Sequence, residues 1–324
     1  MRAIRCEQYG PPSDLVLREM PDPAPGAGEI VVRIEGASVN FPDTLFIQNK
    51  YQISVPVPFT PGSEFVGRVI SVASDVEGVK AGDHVMGAAM VGAYAEQIAV
   101  PATSVRPVPV GLSGPEAAAF SVTFRTAFHA LMTQGEFQPG DWVVVLGASG
   151  GVGTAAVDIA TRLGGRVIAV DRGGARLEIC RGLGAVATVD FDTEDVKNRI
   201  KEITGDGANV VLDPVGGEVS EQALRSIAWG GRFVVIGFAS GEIPKIPLNL
   251  VLLKGPVIKG FEIRTFPQFR PAEYAAGEQR LERMLAEGLK PVVGAVYPLE
   301  ETIDALNAIL DRKISGKVVI DPTR

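Results

Sequence analysis

The glycine-rich segment 142–157 constrains the fold of this chain more than any other feature. An apolar run at 143–146 leads into glycines at positions 147, 150 and 153, after which apolar residues return at helical spacing. This order predicts a buried strand, a tight turn and a helix whose first N–H groups have no intrahelical partner. Such groups attract an anion, so the turn is typical of a dinucleotide pyrophosphate site, although its spacing is GxxGxxG instead of GxGxxG.

The residues of this turn are the first predicted cofactor contacts: Gly147, Ser149, Gly150, Gly151, Val152 and Gly153. A second apolar strand, 166–170, ends at Asp171, about 20 residues beyond the turn, where an acidic residue accepts hydrogen bonds from a ribose. Asp171 favours NADH because it would repel the 2′-phosphate of NADPH, whereas Arg172 and Arg176 could pair with that phosphate. The sequence therefore predicts NAD(P)H, with a slight preference for NADH.

Three regions follow one another along the chain. Residues 1–123 are rich in β-branched residues and turn formers, which predicts a mostly β domain with strands at 29–35 and 65–72. In residues 124–257 apolar strands alternate with amphipathic helices, which predicts parallel βαβ units. Those strands are predicted at 143–146, 167–170, 187–189, 210–212 and 233–236.

Residues 258–324 carry no nucleotide pattern. They contain two predicted helices, 279–287 and 300–310, and a last strand, 317–320, and we expect them to fold back on the first domain. The fold class is therefore α/β, with a doubly wound parallel sheet inserted into a split, mostly β catalytic domain. In this arrangement the substrate would meet the nicotinamide in a cleft between the two domains.

The composition excludes several classes of protein. With 324 residues, 46% hydrophobic and 21% charged, the chain fits two compact domains, and no apolar run reaches the 18 residues that suggest a membrane span. The net charge of −7 argues against a nucleic-acid partner. Cys6 and Cys180 are too few for a disulfide framework or a four-thiolate metal site. Because no secretory signal is visible, we expect a cytoplasmic location.

Several separated segments resemble the zinc-independent medium-chain dehydrogenase/reductases, most closely the quinone oxidoreductase branch that includes the ζ-crystallins. They are SVNFPDT at 38–44, PGSEFVG at 61–67, AGDHV at 81–85, GAYAE at 92–96, GASGGVG at 147–153 and GKVV at 316–319. The resemblance spans almost the full length and implies a Rossmann cofactor domain inserted in a GroES-like catalytic domain. Asn40, Ser63 and Val122 match the zinc ligands of related alcohol dehydrogenases, and since valine cannot bind a metal, no metal site is expected.

The resemblance implies three catalytic candidates. Asn40 would face the nicotinamide and the substrate and could polarise a carbonyl, or it is a turn residue bonded to its own backbone. Asp43 would orient Asn40 or simply cap a helix. Tyr51 would donate a proton or stack on the substrate, or it is an exposed loop residue.

Further cofactor contacts are implied near the nicotinamide. Thr126 matches a residue that contacts this ring, with helix capping as the alternative. The backbone of Ile236, Gly237 and Phe238 closes a strand of the second βαβ half and would flank the ring. Lys317, in the closing GKVV segment, is also assigned to the cofactor. His129 is expected to be a packing residue.

These observations favour an NAD(P)H-dependent reductase that transfers hydride to quinones or similar conjugated carbonyls. Without zinc the chain has no means to stabilise an alkoxide, whereas an electrophilic substrate needs only orientation and hydrogen-bond donors. One alternative is a reductase of enoyl thioesters or other α,β-unsaturated compounds. Another is a crystallin-like protein that binds nucleotide or RNA without turnover. An apolar edge strand at 255–261 predicts a homodimer through the Rossmann sheet.

Overall fold

The computed structural model describes all 324 residues, which divide into two compact units. The first unit contains Met1–Val122 and Lys290–Arg324, and the second contains Thr123–Leu289. The end of the chain returns to the first unit, as predicted, but the predicted boundary at 257 is corrected to 289. Neither unit has a helix with the length and hydropathy of a membrane span.

The first unit is built on a seven-stranded sheet. Its strands and helices are β1 (Arg2–Arg5), β2 (Val16–Glu19), β3 (Glu29–Val39), α1 (Phe41–Phe46), β4 (Glu64–Val72), β5 (His84–Ala88), β6 (Gln97–Pro101), β7 (Val105–Pro107), α2 (Gly114–Ala118), β14 (Val293–Pro298), α11 (Thr302–Leu310) and β15 (Lys317–Asp321). The strand order is β14, β15, β3, β4, β5, β7, and β6 also pairs with β3, whereas β1 and β2 form a separate ribbon.

The long strand β3 is the centre of this sheet because it pairs with β4, β6 and β15. Its alternating residues Ile30, Val32 and Ile34 enter the core, as expected for a sheet with one buried face. At its end the chain turns at Asn40 into α1. The pairing of β15 with β3 brings the last strand beside this turn, since Val318 lies opposite Val39.

The second unit is a six-stranded parallel sheet with helical crossovers. Its elements are α3 (Ser121–His129, which begins at the junction), a π-helical segment (Ala130–Gln134), β8 (Trp142–Leu146), α4 (Gly151–Arg162), β9 (Arg166–Asp171), α5 (Gly174–Gly182), β10 (Ala187–Asp190), α6 (Val196–Thr204), β11 (Ala208–Asp213), α7 (Glu218–Arg225), β12 (Ile227–Val235), α8 (Leu248–Lys254), β13 (Val257–Gly260), α9 (Phe266–Phe269) and α10 (Pro271–Ala286).

The strand order of this sheet is β10, β9, β8, β11, β12, β13, and every neighbouring pair is parallel. The order reverses between β8 and β11, and ligands of doubly wound sheets bind at this switch point. The predicted fold class is confirmed, as are the five predicted strands. The domain boundary was placed too early because β13 extends the sheet beyond residue 257 and α10 belongs to the same unit.

Candidate active site

The glycine turn lies where β8 ends and α4 begins, at the switch point of the second unit. Gly147 has a φ of +60°, a left-handed conformation that favours glycine, and a Cβ there would lie 2.8 Å from a methyl group of Val215. A Cβ at Gly153 would collide with the backbone of Gly147 and Ala148. These two glycines therefore allow the helix to begin directly against the turn.

The middle glycine of the motif has a different role. Gly150 is the N-cap residue of α4, and its carbonyl accepts hydrogen bonds from the N–H of Thr154 at 2.8 Å and from its hydroxyl at 2.9 Å. The only atom that a Cβ at Gly150 would approach is the Gly147 carbonyl oxygen, at 3.3 Å. This side of the turn is open, so the N-terminus of α4 has room for a pyrophosphate, and the predicted turn fits a dinucleotide.

Asp171, at the end of β9, is turned into the protein. Its Oδ2 accepts hydrogen bonds from the backbone N–H of Ser149 at 2.8 Å and from the Ser149 hydroxyl at 2.5 Å. Its Oδ1 accepts from the N–H of Arg172 at 2.8 Å, and only 7% of the residue is exposed. Three donors therefore already occupy the carboxylate on which the prediction of NADH depended, and that argument is weakened.

Two arginines stand beside this carboxylate. The Arg176 guanidinium lies 4.0 Å from Asp171. The half-exposed Arg172 places its guanidinium 4.7 Å from the ring centre of Phe191 and 3.5 Å from the carboxylate of Asp192. The predicted pair of cationic side chains is thus present next to the strand end where an adenosine ribose is expected.

The strand end next to the turn carries the residues predicted to flank the nicotinamide. Asp213 closes β11, and its carboxylate accepts from the N–H groups of Val215 and Gly216, both at 2.9 Å. Burial raises the pKa of this carboxyl, and these hydrogen bonds oppose the shift. The N–H of Ile236 donates to the Asp213 carbonyl at 2.8 Å, which places the segment 236–238 beside the switch point.

In the first unit, Asn40 is part of a buried polar network. Its Oδ1 accepts a hydrogen bond from the Lys317 ammonium at 2.6 Å. Its Nδ2 has longer contacts, at 3.4 Å to the Ser63 hydroxyl, 3.4 Å to Glu64 Oε2 and 3.5 Å to the Ser38 carbonyl. Asn40 is therefore more than a turn residue bonded to its own backbone, since side chains from β4 and β15 hold its amide.

Asp43 is a second buried side chain of this network. It is 1% exposed, and its oxygens accept from the backbone N–H of Asn40 at 2.8 Å, the hydroxyl of Tyr94 at 2.7 Å and the hydroxyl of Ser63 at 3.1 Å. Burial raises the pKa of Asp43, although these three donors oppose the shift, and burial beside Asp43 raises the pKa of Tyr94. Asp43 thus holds Asn40 and also completes the capping box at the start of α1, so both structural roles considered for it are present, and a direct catalytic role stays a prediction.

Glu64 connects the network to Val122, one of the three positions that match zinc ligands. Its Oε1 accepts from the backbone N–H of Val122 at 2.8 Å, and its Oε2 lies 4.0 Å from the Lys317 ammonium. The structure therefore brings Asn40, Ser63 and Val122 around Glu64. No group of three or more His, Cys, Asp or Glu side chains that could hold a metal occurs in the chain.

Lys317 has two hydrogen-bond partners in the first unit. Its ammonium donates to the Val39 carbonyl at 2.9 Å as well as to Asn40, and 4% of the residue is exposed. The register of β15 against β3 causes this placement, and the assignment of Lys317 to the cofactor stays a prediction. Sequence reasoning also missed Tyr94, although the GAYAE segment that contains it had been singled out.

Three further residues were assigned roles from the sequence: Tyr51, Thr126 and His129. The Tyr51 ring packs 4.6 Å from the ring of Phe46, at the edge of the first unit's core, and its role as proton donor stays a prediction. Thr126 is buried in α3. His129 is fully buried with its ring centre 4.8 Å from that of Phe266, which agrees with a packing role.

Comparisons with known proteins place this geometry in a family. Residues 26–110 match the alcohol dehydrogenase GroES-like domain, and residues 151–278 match the domain described as zinc-binding dehydrogenase. A quinone oxidoreductase-like protein 2 homolog from Nematostella vectensis is 36% identical over 99% of this chain and 88% of its own length.

Solved structures agree with this result. The quinone oxidoreductase of Thermus thermophilus, described alone and with NADPH, is 36% identical with a TM-score of 0.86, covering 99% of this chain and 100% of its own. The Escherichia coli quinone oxidoreductase complexed with NADPH is 27% identical with a TM-score of 0.92, over the same shares of the two chains.

Proposed function

This chain belongs to the quinone oxidoreductase-like medium-chain dehydrogenase/reductases and is an NAD(P)H-dependent oxidoreductase, and we propose that it reduces quinones or similar conjugated carbonyls without a metal ion. The main support is the network around Asn40. At the positions that correspond to zinc ligands, an amide, a hydroxyl and a valine surround a buried carboxylate, and an ammonium group lies beside them. This set of groups does not suit zinc, which prefers thiolate and imidazole ligands.

The substrate class follows from this chemistry. An alcohol must lose its proton before it gives up hydride, and a metal-free site has no strong Lewis acid to stabilise the resulting alkoxide. A quinone or an enone is already electrophilic, so hydrogen-bond donors on its oxygen are sufficient to stabilise the negative charge that develops there. We therefore propose reduction as the working direction of the enzyme.

In this proposal the second unit binds the cofactor, and the first unit supplies the hydrogen-bond donor for the substrate. The open side of the glycine turn would hold the pyrophosphate, and the bound reduced nicotinamide supplies hydride. In the first unit, Asn40 would donate a hydrogen bond from Nδ2 to the substrate oxygen, because its Oδ1 is already bonded to Lys317. Asp43 holds the backbone of Asn40, so this donor keeps its place without reorganisation during the reaction.

The substrate proposal is tested by following NADPH oxidation with 1,4-benzoquinone, an enone and an acrylyl thioester, each with and without a chelator. We expect the quinone to give the highest kcat/KM, no effect of the chelator, and no stoichiometric zinc in the purified protein. A preference for the thioester would favour the enoyl reductase alternative. Salt-dependent RNA retention without any reductase activity would contradict the enzymatic proposal.

The role of Asn40 has its own test. Asn40→Ala removes the proposed donor, and loss of one such donor lowers kcat by about 100-fold or more. Asn198→Ala changes an exposed amide in the second unit and serves as the matched control, with unchanged kcat. Equal kcat values for the two variants would refute the role of Asn40.

We propose NADPH as the preferred reductant. Three hydrogen bonds already occupy Asp171, which leaves its carboxylate fewer free lone pairs for the ribose hydroxyls, and Arg172 and Arg176 stand beside it. Arg172→Ala should lower kcat/KM for NADPH at least about tenfold more than for NADH, since a phosphate loses a charge-assisted partner. Arg181→Ala, on the same helix as Arg176 and paired with Glu178, is the control. A wild-type preference for NADH would contradict the proposal.

We also propose a homodimer through the edge strand β13. This strand pairs only with β12 and leaves its outer edge open, with Val257 and Ile258 exposed. Trp229 and Leu252 of the same unit are 84% and 83% exposed, which is unusual for large apolar side chains of a monomer. A second copy would pair its own edge strand with this one. Ile258→Lys should shift the mass measured by light scattering from dimer to monomer, and a monomeric wild type would refute the assembly.

A further inference from the structure

The position of Lys317 follows from the sheet register. Val318 of β15 lies opposite Val39 of β3, so the preceding residue, Lys317, comes beside Asn40 although 277 positions separate them. Its ammonium reaches the Val39 carbonyl at 2.9 Å and the amide oxygen of Asn40 at 2.6 Å. The lysine therefore holds both the backbone before Asn40 and the side chain of Asn40.

The chemistry of the ammonium determines which way the Asn40 amide points. An ammonium group has three donors and no acceptor, so the atom of Asn40 that faces it must be the oxygen. Burial lowers the pKa of Lys317, while the carboxyl groups of Glu64 and Asp43 act in the opposite direction and favour the charged form. The amide nitrogen is consequently directed away from Lys317, toward Ser63 and Glu64.

The amide nitrogen keeps its ability to donate. Its contacts with Ser63, Glu64 and Ser38 are 3.4–3.5 Å long, beyond the usual 2.7–3.2 Å of a good hydrogen bond. Ser63 and Val122 are only partly buried, whereas the other members of this network are buried, so the nitrogen of Asn40 lies on the side from which a ligand can approach. A flipped amide would present an oxygen there, and an oxygen would repel the developing oxyanion.

We propose that Lys317 is a positioning residue that fixes the Asn40 amide with its nitrogen toward the substrate oxygen. This role rests on the proposed function, in which Asn40 donates to that oxygen. Lys317 does not touch the substrate in this scheme, and it acts only through Asn40. Its removal should therefore affect the rate of hydride transfer and leave cofactor binding unchanged.

The test is a double-mutant cycle measured as kcat for quinone reduction, with the Kd of NADPH measured in parallel. Lys317→Met and Asn40→Ala should each lower kcat by about 100-fold, and the double variant should lose no more than either one. Independent roles would instead multiply the losses to about 10,000-fold, which would overturn the proposal. Retention of kcat within twofold by a folded Lys317→Met variant would also overturn it. The Kd of NADPH should stay within twofold throughout.

Two further variants separate positioning from folding. Lys313→Met removes an exposed lysine four residues earlier, whose ion-pair partner is Asp311, and it should leave kcat unchanged. Asn40→Asp keeps an oxygen facing the ammonium but replaces the donor by an acceptor. It also places a third carboxyl group beside Glu64 and Asp43, so its melting temperature should fall, and its kcat is measured at a temperature at which circular dichroism shows the variant to be folded. Its kcat should fall about 100-fold. Normal kcat in Asn40→Asp would overturn the proposal, whereas a wild type inactive with quinones would refute only the proposed substrate.

Discussion

Replacement of Gly153 by alanine tests how tightly α4 packs on the glycine turn. A Cβ at this position would lie 2.6 Å from the Cα and 2.7 Å from the carbonyl carbon of Ala148, and closer still to the Gly147 carbonyl oxygen. All of these atoms belong to the backbone, so no side-chain rotation can relieve the collision. The turn or the first residues of α4 must move.

The magnitude follows from two opposing effects. Alanine stabilises a helix relative to glycine by about 0.5–1 kcal/mol, whereas overpacking in a tight site costs about 1–3 kcal/mol. Because the contacts of Gly153 are with backbone and are very short, the cost should be near the upper limit. We expect a net loss of about 2 kcal/mol in the free energy of unfolding, or about 4–8 °C in Tm.

Gly150→Ala is the matched control for this prediction. Its φ is −77°, and its Cβ would approach only the Gly147 carbonyl oxygen, at 3.3 Å, so the loss in the free energy of unfolding should be at most about 1 kcal/mol, mainly because alanine is a poorer N-cap than glycine. The new methyl group would, however, occupy the open side of the turn. The Kd of NADPH should therefore rise at least about tenfold, since the pyrophosphate could no longer approach the helix N-terminus.

Urea unfolding followed by tryptophan fluorescence suits this comparison because Trp142 and Trp229 both belong to the second unit. Binding of NADPH is measured separately by the fluorescence of the nicotinamide. The reasoning is refuted if Gly153→Ala is as stable as wild type, or if Gly150→Ala loses more stability than Gly153→Ala.

Three other perturbations have definite expected outcomes. Burial lowers the pKa of His129, so below about pH 6.5 the unfolded chain takes up a proton that the folded chain does not. The free energy of unfolding therefore decreases as the pH is lowered, by at most about 1.4 kcal/mol per pH unit. Urea unfolding of wild type at pH 7.5 and 5.5 should show this loss. The free energy of unfolding of His129→Phe should decrease less between the same two pH values. Asp43→Asn leaves one acceptor oxygen for three donors, two of them buried, and should cost about 1–3 kcal/mol, measured by thermal unfolding. Gly277→Ala should cost about 1–3 kcal/mol in the same assay, because its Cβ would lie 2.7 Å from Nε2 of His129.

The second unit could be predicted closely from the sequence because its signals are local. The strands of a parallel sheet are buried on both faces, so each appears as a continuous apolar run, such as Val143–Leu146. The glycine pattern marks a turn where backbone atoms approach one another closely. The boundary near residue 257 was wrong because the elements beyond it give only weak local signals. The strand β13 has only four residues, and the helix α10, 271–286, buries only a narrow face.

The orientation of Asp171 shows where a local rule becomes insufficient. Its position at the end of the second strand could be predicted from the sequence. The rule that assigns such an acid to the ribose, however, assumes a carboxylate without other hydrogen-bond partners. The structure instead gives this carboxylate two hydrogen bonds from Ser149, whose presence in the turn was visible but whose rotamer was not. The proposed cofactor preference therefore rests on a contact between two motifs and not on either motif alone.

The network around Asn40 differs from a metal site that has merely lost its ligands. Asp43 and Glu64 place two carboxyl groups away from water, and a nearby cation offsets their repulsion. Lys317 supplies that cation, with its ammonium bonded to Asn40 and 4.0 Å from Glu64. A divalent ion held by residues at positions 40 and 63 would face this ammonium at close range, and the two cations would repel each other. New thiolate and imidazole ligands in place of Asn40 and Ser63 would therefore not restore zinc binding while Lys317 keeps its charge.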